Sequence, residues 1–121
     1  MKTLKTLTRI FVHDLDPAIK FYERLFEQKM EFRFSYPEKH LELALVGNLL
    51  IIAGKKKDLA PFKETRCTIL VDSLKEFKTY LLENGAVIIR DITAVPTGKN
   101  MTFRHPDGTI AEYVQHITKE Q

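Results

Sequence analysis

The chain has 121 residues, which is enough for one domain with a single hydrophobic core. Its composition, 44% hydrophobic and 29% charged, is ordinary for a globular protein, and no apolar run approaches membrane-spanning length. A single cysteine, Cys67, excludes an internal disulfide and a metal site built from several thiolates. The first residues form no long apolar stretch and include Arg9, so the sequence predicts no signal peptide and a cytoplasmic protein.

The formal net charge of +3 is mild for a nucleic-acid-binding protein. Such a protein would concentrate basic residues on one face, together with aromatic side chains for stacking. The one basic run, Lys55-Lys56-Lys57, is followed directly by Asp58, a pattern typical of a solvated loop. The sequence therefore predicts neither a nucleic acid nor a membrane as partner.

The first half of the chain predicts one helix and four strands. Asp16-Pro17 predicts a helix start, because Asp caps free N–H groups and Pro fits the first helical position. Helical spacing predicts that the buried face of this helix consists of Ala18, Phe21, Tyr22, Leu25 and Phe26. Ile19 lies outside this predicted face. The predicted strands are residues 6–12, 30–36, 41–45 and 49–53, with a two-residue turn at Gly47-Asn48.

The second half repeats this order after a predicted linker over residues 55–63. Ser73 and Glu76 form a capping box that opens a second helix, and Asn84-Gly85 ends it. The buried face of that helix is predicted to hold Leu74, Phe77 and Leu81. The predicted strands are residues 65–71 and 86–92, then, after a loop over 93–98, a hairpin over 101–115 that turns at Pro106-Asp107-Gly108.

The two halves therefore predict a duplicated βαβββ module, about residues 4–54 and 64–117, within a single domain. The duplication is visible where Ile10-Phe-Val12, followed by Leu15, matches Ile69-Leu-Val71, followed by Leu74. One amphipathic helix per module can cover only one face of its strands. The predicted fold is therefore α+β, with paired modules that form a cup-shaped mixed sheet and helices on the outer face.

Three stretches in this order resemble the vicinal oxygen chelate superfamily, which includes glyoxalase I, bleomycin-resistance proteins and extradiol dioxygenases. They are Phe11-Val-His-Asp-Leu15 followed by Phe21-Tyr22-Glu23, then Leu70-Val-Asp-Ser73, then His105-Pro-Asp-Gly-Thr-Ile-Ala-Glu-Tyr113. The resemblance implies paired βαβββ modules that curl into a cup. In catalytic members four side chains, typically His and Glu, hold a divalent metal there.

The four metal-ligand positions of the superfamily fall here on Leu7, Ile51, Arg66 and Glu112. Leucine and isoleucine cannot coordinate a cation, and arginine repels one, whereas divalent metals need several oxygen or nitrogen donors. The histidines are scattered and suggest no replacement site: they are His13, His40, His105 and His116. The sequence therefore predicts no cofactor and disfavours a divalent metal.

Strand alternation predicts the side chains that line the cup. The predicted ligand-binding residues are Leu7, Arg9, Phe11, Ile51, Arg66, Thr68 and Glu112. A mostly apolar lining with few polar groups suits a small organic ligand. We expect Arg66 to pair with Glu112 in place of the metal and, with Arg9, to receive an anionic group. The alternative is that these charges form a structural pair, or face outward, without any ligand.

The sequence as a whole predicts a metal-free protein that binds a small molecule, as the resistance members of the superfamily do, and that forms a homodimer as they do. A second hypothesis is a lyase, isomerase or dioxygenase that uses an unrecognised metal, or Glu112 as catalytic acid or base. A third is a regulatory or interaction module whose cup is filled by its own side chains.

Overall fold

The computed structural model describes residues 1–116. The chain divides into two compact units: a first unit of residues 7–64, and a second unit of residues 1–6 together with the chain from Thr65 on. In chain order the elements are β1 (Thr3–Val12), α1 (Leu15–Phe26), β2 (Phe32–Tyr36), β3 (Leu41–Val46), β4 (Leu49–Ala53), α2 (Lys56–Leu59), β5 (Cys67–Val71), α3 (Leu74–Glu83), β6 (Val87–Val95), β7 (Gly98–Arg104) and β8 (Ile110–His116).

The first unit is a four-stranded mixed sheet, with strand order β2-β3-β4-β1, covered on one face by α1. β2, β3 and β4 are antiparallel neighbours, and β1 pairs with β4 in parallel. After β4, the stretch predicted as a linker forms two short helical turns, α2 and a 3-10 helix at Ala60–Phe62. The βαβββ order predicted for the first half of the chain is confirmed.

The buried face of α1 differs from the predicted one. Leu15 and Ile19 are buried, and they pack against strand residues such as Val46 and Ile51. Phe21 and Leu25, predicted to be buried, are each 60% exposed. Apolar residues occupy two adjacent stripes of this helix, and spacing alone does not show which stripe meets the sheet. The helix also begins at Leu15, before the predicted start, which adds one apolar residue to the buried stripe.

The second unit repeats the arrangement, with strand order β5-β8-β7-β6 and α3 covering one face. β5 pairs with β8 in parallel, and the remaining pairs are antiparallel. The Ser73 half of the predicted capping box is confirmed, because the Ser73 hydroxyl accepts a hydrogen bond from the Glu76 N–H, whereas the Glu76 carboxylate pairs with the N-terminal amine. The predicted buried face of α3 is also confirmed, and it packs against a cluster that includes Phe103 and Tyr113.

The loop predicted over residues 93–98 is wrong, because the strands on either side extend into it. β6 continues to Val95 and β7 begins at Gly98, so the chain turns within two residues. Gly98 has φ +151°, and a Cβ there would lie 2.2 Å from the Gln115 carbonyl oxygen. Only glycine fits such a close approach between neighbouring strands.

The hairpin between β7 and β8 turns at the predicted residues. The His105 N–H donates to the Thr109 carbonyl at 2.8 Å, and the Thr109 N–H donates to the Asp107 carboxylate at 2.9 Å. Both units thus have the predicted βαβββ order, mixed sheets and one helix-covered face, so the α+β class is confirmed. None of the helices in the described residues is long and apolar enough to cross a membrane.

Candidate ligand-binding site

Glu112 lies in the middle of β8, on the face of the second unit's sheet that α3 does not cover. Its neighbours in sequence, Ala111 and Tyr113, belong to the core cluster under α3, so the side chain between them points to the opposite face. Thr68 of β5 and Thr102 of β7 stand in register with Glu112 on the two adjacent strands. Side chains from three strands therefore meet at one carboxylate.

Two buried polar side chains hold the carboxylate of Glu112. The Thr68 hydroxyl donates to Oε1 at 2.8 Å, and the Asn100 side-chain amide donates to Oε2 at 2.6 Å. Thr68 is 2% exposed and Asn100 4% exposed, whereas Glu112 itself is partly exposed. Hydrogen bonds to an ionised group are short and strong, so these two bonds fix the orientation of the carboxylate.

Asn100 is a site residue that sequence reasoning missed. It stands in register with Val114, diagonally next to Glu112 on the same face. Because residues 93–98 were predicted as a loop and the hairpin was predicted to start at 101, the first residues of β7 were not paired with any residue of β8. Counting back from the Pro106–Gly108 turn would have paired Arg104 with Ile110 and placed Asn100 beside the carboxylate.

The ion pair predicted between Arg66 and Glu112 is wrong. Arg66 is exposed and precedes β5, and its N–H donates to the carbonyl of Ile110, two residues before Glu112. No ion pair joins the two side chains in the described part of the chain, where neutral groups of Thr68 and Asn100 bind the carboxylate. The Arg66 side chain is exposed, so its charge reaches solvent.

In the first unit, the residues predicted to line the ligand site lie on the sheet face that α1 does not cover. Ile10 and Val12 pack in the cluster under α1, so Leu7, Arg9 and Phe11 take the opposite face. Leu7 is 3% exposed, and Arg9 is half-buried, with Nη1 donating to the Phe62 carbonyl at 3.3 Å.

Ile51 does not belong to this set. It is fully buried in the cluster under α1 and stands in register with Ile10. Leu50, which pairs with Arg9, lies on the face that was predicted for Ile51. A strand that is apolar at every position shows no alternation, so the sequence could not distinguish the two faces.

The residues present do not fit the divalent metal of the superfamily. The described residues contain no group of three or more His, Cys, Asp or Glu side chains placed to hold a metal ion. Among the positions that the resemblance assigns to the metal, Glu112 carries a suitable donor, and its two oxygens accept hydrogen bonds from Thr68 and Asn100.

The first unit also carries a separate polar cleft of about 860 Å³ beside the carboxyl ends of β1 and β4 and the start of α1. Arg33 bridges Asp16 and Glu42 across it, and these hydrogen bonds raise the pKa of the guanidinium. The other lining residues are His13, Asp14, Leu15, Pro17, His40, Ala53, Gly54, Lys55, Lys57 and Asp58. Among the charges that line this cleft, those of Arg33, Asp16 and Glu42 pair with one another.

Tyr113 is buried and shares a 2.6 Å hydrogen bond with His105 Nε2. Burial raises the pKa of its phenol to about 12. The hydroxyl therefore stays protonated at neutral pH, and Tyr113 serves the packing under α3 rather than the Glu112 site on the other face.

The chain contains two βαβββ units, each with one face covered by a helix, and it has the fold that its resemblance to the vicinal oxygen chelate superfamily predicts, because it shares that fold with methylmalonyl-CoA epimerases. The chain belongs to the same family as an uncharacterized protein from Methanosarcina mazei. The crystal structure of that protein is 51% identical, with a TM-score of 0.94, and the match covers 100% of this chain and 98% of that one. No family model matches the chain.

Two further comparisons reach more distant proteins. The uncharacterized protein YwbC of Bacillus subtilis (strain 168) is 28% identical, over 89% of this chain and 94% of that protein. A Streptomyces coelicolor methylmalonyl-CoA epimerase variant in complex with 2-nitronate-propionyl-CoA is 18% identical, with a TM-score of 0.74 and 98% of each chain covered. At that identity the epimerase likeness shows the fold alone.

Proposed function

We propose that the protein binds a small organic molecule at the exposed edge of the Glu112 carboxylate. The observation that carries this proposal is the pair of buried donors, Thr68 and Asn100, that hold the carboxylate in one orientation. Burying polar side chains costs free energy that a structural role on an apolar sheet face would avoid. A fixed, partly exposed carboxylate is the kind of polar group that orients a ligand in a largely apolar site.

The comparison with the epimerase suggests where a search for the ligand should begin. That protein is in complex with 2-nitronate-propionyl-CoA, so acyl-CoA esters are one class to include in the screen. The proposed lining comprises Thr68, Asn100 and Glu112, all in the second unit. The homodimer and the cytoplasmic location stay predictions, and analytical ultracentrifugation would test the first.

The binding proposal is tested with a matched pair of variants. Glu112→Gln removes the charge but keeps the shape, and Glu83→Gln makes the same change at an exposed carboxylate at the end of α3. Propionyl-CoA, methylmalonyl-CoA and a library of small acids, amines and aromatic compounds are screened by thermal shift and then by calorimetry. We expect a ligand that binds the wild type and Glu83→Gln alike, and Glu112→Gln at least about tenfold more weakly.

Binding that is equal in the two variants would remove Glu112 from the site. A full screen in which no compound raises the melting temperature would overturn the proposal, because a ligand that binds only the folded state must stabilise it.

A second candidate function is an enzyme in which Glu112 exchanges a proton with the bound molecule. The Thr68 hydroxyl favours this, since it can donate to the carboxylate or accept from the carboxylic acid. The hydrogen bond therefore survives a change in the protonation state of Glu112, which an arginine partner would oppose. In D₂O, Glu112 would take the proton of an acidic C–H bond and a deuteron would replace it.

Proton NMR of methylmalonyl-CoA incubated with the protein in D₂O tests this activity. Loss of the C2 proton signal faster than without protein, and no acceleration with Glu112→Gln, would support it. Equal exchange rates with both proteins would exclude Glu112 as the acid or base for that compound.

A further inference from the structure

The Glu112 site contains a buried polar atom, Oδ1 of Asn100, that no group within residues 1–116 satisfies. Among the residues that the structure describes, no donor reaches Oδ1 of Asn100, although the side chain is only 4% exposed. A buried carbonyl oxygen without a hydrogen bond costs free energy, and native proteins keep few of them. Such an atom on the face that carries the proposed site calls for a functional explanation.

The orientation of the Asn100 amide is fixed by its neighbour. An ionised carboxylate has only acceptors, so the NH₂ end of the amide must face Oε2, at 2.6 Å. A flipped amide would place two oxygens against each other. The unsatisfied oxygen is therefore the far end of the same amide that grips Glu112, and it lies close to the carboxylate.

The polar atoms at this point are mainly acceptors: the carboxylate of Glu112, the Asn100 oxygen and the lone pairs of the Thr68 hydroxyl. His116 lies on the same strand, four residues beyond Glu112, and interacts with it electrostatically, but burial lowers the pKa of its imidazole, which disfavours the positive charge. Arg90 stands in register beyond Thr102, and it does not reach the Asn100 oxygen. A ligand carboxylate or thioester carbonyl would bring a further oxygen against these acceptors. A group with several N–H donors and a positive charge would match them.

We infer that the group of the ligand that meets Glu112 is a primary ammonium, which donates to the Asn100 oxygen and to the carboxylate. This inference rests on the proposed function, and it names the class of ligand for that same site. An ammonium has three donors, whereas a hydroxyl has one, so it can serve Asn100, Glu112 and Thr68 together. This ammonium replaces the anionic ligand group that we expected Arg66 to receive, because Arg66 is exposed and does not share this point of the sheet.

The test compares three small probes of similar size: n-propylammonium chloride, sodium propionate and n-propanol, at constant ionic strength and pH 7. Each is titrated into the uniformly ¹⁵N-labelled full chain, and the Asn100 side-chain NH₂ signals and the backbone amides of Thr68 and Glu112 are followed. We expect saturable shifts of these signals with n-propylammonium, and binding of propionate and n-propanol at least about tenfold weaker. Glu112→Gln should weaken n-propylammonium binding at least about tenfold, and Glu83→Gln should leave it unchanged.

Preferential binding of propionate or n-propanol at these signals would overturn the ammonium inference and leave the binding proposal standing. Equal n-propylammonium shifts in the wild type and in Glu112→Gln would overturn it as well. Both the inference and the proposed function would be overturned if none of the three probes shifts these signals and the wider library also yields no ligand. Amide spectra of Glu112→Gln that match the folded wild type away from the site provide the control for folding.

Discussion

Replacing Thr68 by valine tests the hydrogen bond that fixes the Glu112 carboxylate. Valine keeps the shape and the β-branching of threonine but removes the hydroxyl that donates to Oε1 at 2.8 Å. Thr68 is 2% exposed, so water cannot easily replace the lost bond. Hydrogen bonds to charged groups contribute more than neutral ones, and we expect Thr68→Val to cost about 1–2 kcal/mol of unfolding free energy. For a chain of this length that corresponds to a melting temperature lower by roughly 4–8 °C.

The assay is urea unfolding followed by circular dichroism, with the free energy extrapolated to water and the slope compared between proteins. Thr102→Val is the matched control, because Thr102 flanks Glu112 on the opposite strand and donates no hydrogen bond to it among the described residues. We expect the control to change the unfolding free energy by about 0.5 kcal/mol or less. A double-mutant cycle with Glu112→Leu then isolates the pair, and the cost of Thr68→Val should largely disappear in that background.

Equal costs for Thr68→Val with and without the carboxylate would refute the reasoning. The threonine would then contribute by packing alone, and the geometry of the proposed site would have no measurable energy behind it. A loss that appears only when Glu112 is present, on the other hand, would show that the two residues act as one unit.

Three further predictions concern other parts of the fold. Gly98→Ala should destabilise the protein by about 3 kcal/mol or more in urea unfolding, because the added Cβ would overlap the facing strand. Gly108→Ala is the control: the position has open space and φ +95°, so the change should cost only about 1 kcal/mol of backbone strain. Similar losses in the two variants would show that the β6–β7 turn can open. Ser73→Ala should lower the unfolding free energy, measured by thermal unfolding, by about 1 kcal/mol, because α3 loses its cap. Asp14→Ala at the start of α1 should cost about half of that or less, since the Asp14 side chain makes no cap hydrogen bond within the described residues. The reverse order of the two losses would contradict the cap assignment. The pKa of Tyr113 is raised to about 12 from an ordinary 10.0, so the folded state holds the phenol proton more tightly than the unfolded state does. The contribution of this residue to stability is therefore complete below pH 10 and is lost as the pH rises towards 12. An ultraviolet titration in which all four tyrosines ionise together near pH 10 would show that Tyr113 is not buried.

Local signals in the sequence were enough to predict the fold. The capping box at Ser73, the Pro106-Asp107-Gly108 turn and the repeated Ile10 and Ile69 stretches each act within a few residues of the chain. Such signals depend on capping, turn chemistry and side-chain alternation, which do not require knowledge of distant contacts. They located both βαβββ units, whereas Glu112 was assigned to the site through the superfamily resemblance.

The partners of each side chain were decided only by the tertiary structure. α1 carries two apolar stripes, and contact with the sheet selected Leu15 and Ile19 over Phe21 and Leu25. β4 is apolar at every position and shows no alternation, so only its pairing with β1 decides which of its side chains lie on each face of the sheet.

The candidate site depends on register in the same way. Glu112 was identifiable from its position in the hairpin, but Asn100 reaches it only because β7 begins at Gly98 and pairs along its whole length with β8. Arg66, one residue before β5, was placed by sequence in contact with the carboxylate, and the structure leaves it exposed. Sequence determines which face a side chain takes through local alternation, whereas strand pairing across many residues determines which groups meet, and only folding fixes that pairing.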